Sequence, residues 1–259
     1  MKPGIIRVGI GGWTFEPWRG VFYPAGLPHA RELEYAAGQV TAIEINGTYY
    51  RLQTAKNFAA WSKAAPPGFV FTVKASRFCT NRKALAEAGE SIGKFLGQGL
   101  VELGEKLGPI LWQFMPTKRF EREDFAAFLA LLPATQDGVR LRHALEVRHE
   151  SFRDLDFIAL ARRAGVAIVF ADSAEYPTIE DQTAGFTYAR LQRAREDEPA
   201  GYDPATLDRW ADAARRWAGG GAGGPGRDVF IFMINGAKIR APAAARALLA
   251  RLEEASKQA

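Results

Sequence analysis

Eight short apolar runs, most of them separated by segments of helical periodicity, constrain this chain more than any single motif does. They cover residues 5–12, 40–47, 68–76, 108–114, 143–149, 167–172, 186–192 and 228–236. Each is short, rich in Val, Ile and Phe, and bounded by Gly, Pro or small residues, as expected of parallel strands buried on both faces. Helical patterns fall at 30–39, 55–65, 84–104, 122–132, 155–165 and 205–219. A last one at 243–257 closes the chain, and the sixth connection, 173–184, reads as irregular.

Eight strands alternating with helices in 259 residues predict a (β/α)₈ TIM-type barrel, a fold of about 250 residues, here as one domain over 1–259. An open doubly wound sheet is the competing arrangement. It lacks its phosphate turn: Gly9, Gly11 and Gly12 do not make G-x-G-x-x-G, because Phe15 and Glu16 follow Trp13 and Thr14.

Composition narrows the class further. With 47% hydrophobic and 24% charged residues the chain can bury one substantial core. No apolar stretch reaches the roughly 20 residues of a membrane span, and the first residues run straight into a strand without a signal-like segment, so a cytoplasmic protein is expected. Cys79 is the single cysteine, which excludes an intrachain disulfide. The net charge of +5 is dispersed, a weak argument for a nucleic-acid partner. The glycine-rich piece at 219–226 precedes the eighth strand, on the face away from the catalytic loops of a barrel, and reads as a functionally idle loop.

Side chains along a strand alternate between faces, so each run splits into two phases. One is apolar nearly throughout (Ile43 and Ile45, Phe71 and Val73, Ile110 and Trp112, Val169 and Ala171, Phe230, Phe232 and Ile234) and should face the helices. The other turns polar toward the strand ends: Glu44 and Asn46, Thr72, Lys74 and Ser76, Gln113, Glu146 and Arg148, Asp172, Tyr188 and Arg190, and Asn235. In a barrel these point inward, to the C-terminal mouth that holds the active site. The acids Glu44, Glu146 and Asp172 balance Lys74, Arg148 and Arg190, as buried charges must. The set is therefore either a salt-bridge plug or a ligand site, or pairs that hold one another in position for a ligand.

The first connection carries Trp13, Phe15, Trp18, Phe22 and Tyr23, which could stack on a ligand or cap the barrel; Trp13 continues the inward phase of Gly9 and Gly11. Tyr49, Tyr50 and Tyr202 pose the same choice.

Taken together, Gly11 and Trp13, Phe22-Tyr23-Pro24, Glu44-Ile45-Asn46-Gly47-Thr48-Tyr49-Tyr50, Phe69-Val70-Phe71-Thr72-Val73-Lys74, Leu111-Trp112-Gln113, Glu146-Val147-Arg148-His149 and Tyr188-Ala189-Arg190-Leu191 resemble the YecE-like family, a domain of unknown function. The resemblance spans nearly the whole chain and implies a TIM barrel, but no reaction. Members often have His where this chain has Asn81, and Arg-Leu-His-Gly where it has Arg190-Leu191-Gln192-Arg193, so a catalytic role for either histidine is absent or changed here.

The residue set allows several chemistries. Glu44, Glu146 and Asp172 could hold a hard cation, but His29, His143 and His149 add at most one further ligand, and no metal or organic cofactor is assigned. The three acids are the candidates for general acid/base catalysis. Lys74 could form a Schiff base, except that flanking acids would hold it protonated. Lys74, Arg148 and Arg190 are better read as binders of carboxylate or phosphate, with Asn46, Gln113 and Asn235 reading hydroxyls and Trp13 or Tyr49 covering an apolar face. Ser76, Ser173 and Cys79 lack a histidine placed to activate them. Two functions remain. One is an enzyme acting on a small anionic or polyhydroxylated substrate; the other is a non-catalytic barrel binding a ligand or nucleic acid, with Arg162, Arg163, Arg215 and Arg216 as a basic stripe.

Overall fold

In the computed structural model, which describes residues 3–220 and 225–256, the eight apolar runs form the parallel strands of one barrel. They are β1 (Ile6–Gly11), β2 (Ala42–Ile45), β3 (Val70–Lys74), β4 (Leu107–Gln113), β5 (His143–Glu146), β6 (Ala167–Ile168 and Phe170–Asp172), β7 (Phe186–Leu191) and β8 (Asp228–Met233). β6 is interrupted at Val169. Its first half pairs with β5 and its second with β7, so the two edges of the nine-stranded sheet are halves of one strand and the sheet closes on itself. The hydroxyl of Thr183, from the irregular sixth connection, accepts from the Ile168 amide at 3.1 Å and donates to the Val166 carbonyl at 2.6 Å, supporting this seam.

Around the barrel run α1 (Glu32–Ala37), α2 (Ala55–Ala64), α3 (Gly89–Leu96), α4 (Arg122–Ala130), α5 (Leu155–Ala164), α6 (Pro204–Ala218) and α7 (Ala241–Ser256). Local chemistry sets their ends. The Asp154 carboxylate accepts from the amides of Asp156 and Phe157, starting α5, and left-handed Gly165 stops it. Asp203 caps α6 through the Thr206 amide at 2.9 Å, ahead of Pro204 at the first turn. The helix expected over 84–104 is broken instead: left-handed Gly99, at φ 96°, packs its backbone so closely on Ala55 that a Cβ there would lie 2.6 Å away. Residue 257, expected in the last helix, and residues 221–224 of the glycine-rich piece lie outside the described residues.

Two apolar layers hold the fold. Ile43, Ile45, Phe71, Val73, Ile110, Trp112 and Leu145 pack outward on the helices, as their phase predicts. A second cluster of Ala42, Val70, Leu111, Ala144, Tyr188 and Phe230 fills the barrel interior. Phe230 is there contrary to the expected phase, as are Phe232, Ile234 and Val169, which also belong inside, while Val229, Ile231 and Met233 face outward. Both phases of β6 and β8 are apolar, so alternation carries no marker there. No described helix is long and apolar enough to cross a membrane.

Candidate functional site

Above the interior apolar layer, β2, β5 and β7 bring Glu44, Glu146 and Arg190 together, each at most 2% exposed. Arg190 donates from Nε and Nη2 to Glu44 at 3.1 and 3.0 Å, and from Nη1 to Oε2 of Glu146. Tyr188 donates its hydroxyl to Glu44 at 2.7 Å and stands 3.0 Å from the Thr72 hydroxyl. Glu146 also accepts from Gln113 at 2.8 Å and from Nε and Nη2 of Arg148 at 3.2 and 3.0 Å. Each carboxylate oxygen is thus hydrogen-bonded, as buried charge requires.

Electrostatics follow from this packing. Burial opposes ionisation of Glu146, but Arg190, Arg148 and Gln113 outweigh it and bring its pKa down to about 2. For Arg190 burial disfavours the charge, and the two glutamates more than restore it, so its pKa is raised. The Tyr188 phenol is pushed well up by burial and by the Glu44 charge, and it stays a neutral donor.

A cavity of about 340 Å³ opens above this network, lined by Asn46, Lys74, Gln113, Arg148, Arg190 and Asn235 together with Lys238 and a wall of Trp18. Glu44 and Glu146 do not line it. Lys74, the last residue of β3, is held by its backbone, whose carbonyl accepts from Thr48 Oγ1 at 2.6 Å. Its Nζ lies 4.2 Å from the centre of the Tyr49 ring. Burial first, and then Arg190 and Arg148, bring its pKa down to about 8, against the opposing pull of Glu44 and Glu146. Arg148 stacks 4.4 Å from the Tyr176 ring, and Lys238 sits 4.4 Å over Phe15.

Sequence and structure part at several positions. Asp172 lies outside the mouth: its carboxylate pairs with Arg193 Nε at 3.2 Å, and burial raises its pKa. Since Val169 packs inside the barrel and Phe170 packs on Trp210 and Trp217 of α6, the phase of β6 is opposite to the one expected. Trp13 does not cover the cavity either, because its ring packs edge-on against Trp61 of α2 at 5.2 Å. Asn235 reaches the cavity by another route than strand phase: it adopts a left-handed turn at φ 62° just beyond β8 and donates to Gln192 at 3.3 Å. Tyr49 backs Lys74 without lining the cavity. Phe22 and Tyr23 are buried packing groups with Tyr35.

Several contributors escaped sequence reasoning. Lys238 and Tyr176 come from connections without periodicity. Trp18 was legible only as a possible cap. Gln192, 3.5 Å from Glu146, and Asn81, which donates to the Tyr49 hydroxyl at 3.1 Å, occupy the two departures from the YecE-like pattern, and both touch the site or its backing. Ser76 and Ser173 serve as caps, their hydroxyls accepting from the amides of Phe78 and of Glu175 and Tyr176. His143 bridges Trp112 and the Pro133 carbonyl. Among the described residues no group of three or more His, Cys, Asp and Glu could hold a metal. A larger hollow of about 740 Å³ lies over the third and fourth connections, but its Arg82 is tied to Glu87 and Ser91 and its Lys118 to Asp124.

The fold has counterparts among known structures. A DUF72 family protein from Thermotoga maritima superposes with a TM-score of 0.71 at 23% identity, covering 98% of this chain and 99% of that one. One from Enterococcus faecalis gives 0.71 at 18% identity, with 99% of both chains covered. SacUVDE shares the barrel at 10% identity, with a TM-score of 0.61 over 97% of this chain and 99% of its own. No curated protein matches. The family model described as "Protein of unknown function DUF72" matches residues 7–259, and the chain therefore belongs to the DUF72 family.

Proposed function

We propose that the barrel mouth binds a small oxygen-rich anion, a phosphate, carboxylate or sugar acid, and acts on it as an enzyme without an organic cofactor. One observation carries this reading: Lys74, Arg148, Arg190 and Lys238 all line one cavity, while both neighbouring carboxylates are turned away from it and already hydrogen-bonded. A salt-bridge network and a ligand site coexist, the first holding the guanidinium groups in place for the second.

The same geometry redistributes the chemical roles. Glu44 and Glu146 position Arg190 and Arg148 instead of exchanging protons with substrate, since Glu146 titrates near 2 and neither acid lines the cavity. Asp172 takes no part. Lys74, at about 8, is the cavity group suited to proton transfer near neutrality. The nucleic-acid alternative draws less support, because Arg162 and Arg215 of the outer helices are paired with Asp181 and Asp212 at 3.5 and 3.0 Å. Family membership accords with the YecE-like resemblance in the sequence. We place the protein in the cytoplasm on its single cysteine, which allows no intrachain disulfide.

A thermal-shift screen tests the reading. Phosphate, sulfate and small sugar acids should raise the melting temperature by mass action on the folded state, about 2.7 kcal/mol at a hundredfold excess over Kd. Arg148→Ala should weaken the shift, and EDTA should leave it unchanged. Stabilisation by divalent cations alone overturns the proposal.

A further inference from the structure

We infer that Lys74 is a carbonyl-reactive nucleophile, forming a Schiff base with an aldehyde or ketone that also carries a carboxylate or phosphate. This rests on the anion-site reading above and adds to it the class of substrate.

Three structural facts carry it. The amine lines a cavity of a size for a small molecule, at the end of a strand fixed by the Thr48 hydrogen bond. Among the described residues its Nζ has no hydrogen bond or ion pair; its neighbour is the face of Tyr49. The acids that would keep it protonated are engaged elsewhere: Glu44 is gripped by Arg190, and Glu146 by Arg190 and Arg148, so two carboxylates and two guanidinium groups cancel beneath it. Desolvation then decides its protonation, which accords with an amine that is neutral in part at physiological pH.

The step balances without a further reactant. The ammonium releases a proton to solvent, and the free amine attacks the carbonyl carbon, giving a carbinolamine. The carbonyl oxygen takes up protons and leaves as water, and the iminium remains. Arg148, Arg190 and Lys238 hold the substrate's anionic group during this sequence.

The experiment treats wild-type protein with glyoxylate and sodium cyanoborohydride, followed by peptide mapping. One carboxymethyl group should appear on Lys74, excess phosphate should protect it, and the uncharged aldehyde propanal should label it at least roughly tenfold less, the worth of one charge-assisted contact. Lys74→Arg should lose this label. Labelling spread over surface lysines, or falling on Lys238, overturns the inference. If phosphate shifts the wild-type melt but Lys74 stays unlabelled, the Schiff base alone fails; if phosphate gives no shift, the anion site itself is lost.

Discussion

Arg190 meets Glu44 edge to edge, with Nε and Nη2 each donating to a different carboxylate oxygen at 3.1 and 3.0 Å. This bidentate pair is buried, and the third nitrogen is committed to Glu146. Removing the Glu44 charge leaves a guanidinium without its fork. Glu44→Gln should therefore destabilise the fold by about 3 kcal/mol in urea unfolding, with unchanged m. A loss below about 1 kcal/mol would show that the pair contributes little.

The pH dependence of stability should carry the mark of Lys74. Its folded pKa of about 8 lies below the ordinary 10.5, so between those values the unfolded chain binds more protons and stability rises with pH. The groups facing it are Arg190, Arg148, Glu44, Glu146 and the Tyr49 ring. Lys74→Met should thus be relatively most stable near pH 7, and its advantage, roughly 3 kcal/mol at most, should shrink toward pH 10.5. A difference independent of pH from 7 to 10.5 would contradict the buried amine.

Glu146 governs the acid limb. Its pKa near 2 against an ordinary 4.5 contributes stability that is fully present above 4.5 and lost as pH falls toward 2. Glu146→Gln should flatten the fall in stability over this window, read from denaturant midpoints at each pH.

The turn after β8 allows little substitution. Gly236 has φ 59°, and a Cβ there would stand 2.5 Å from the Ala194 carbonyl oxygen. Gly236→Ala should cost about 1–3 kcal/mol and, by moving Asn235, weaken the phosphate thermal shift. Asn235→Gly should keep the stability, because glycine enters the same left-handed region freely.

Asp172→Asn separates the mouth from its surroundings. Its pair with half-exposed Arg193 contributes at most about 1 kcal/mol, and the phosphate shift should be unchanged. A lost shift would return Asp172 to the site.

The sequence carried the barrel because each strand is short, apolar and followed by a helix or a recognisable loop. It carried Glu44, Lys74, Gln113, Glu146, Arg148 and Arg190 because polar residues are rare enough on buried strands to mark the inner phase. Where both phases are apolar, as in β6 and β8, that signal vanishes. The inward placing of Asp172 then rests on its strand-end position and on a phase that apolar neighbours cannot fix. The direction of the Lys74 pKa was illegible for another reason: it depends on whether Arg190 spans both glutamates, a three-strand relation that spacing cannot encode. Lys238 and Tyr176 come from irregular connections, whose side-chain directions no periodicity fixes.

The interruption of β6 has a consequence for motion. Closure between β5 and β6 rests on the register pairs Ala144 with Ala167 and Leu145 with Ile168, and the Ile168 amide is satisfied by a threonine hydroxyl instead of a neighbouring strand. Such a short ladder is the place where a closed sheet breathes, and its amides should exchange with solvent deuterium ahead of those in the β1–β8 ladder. The second half of β6 borders β7, where Arg190 pairs in register with Ala171. Among the described residues Arg190 alone hydrogen-bonds both glutamates, so the rigidity of the anion pocket should follow the lifetime of this short closure.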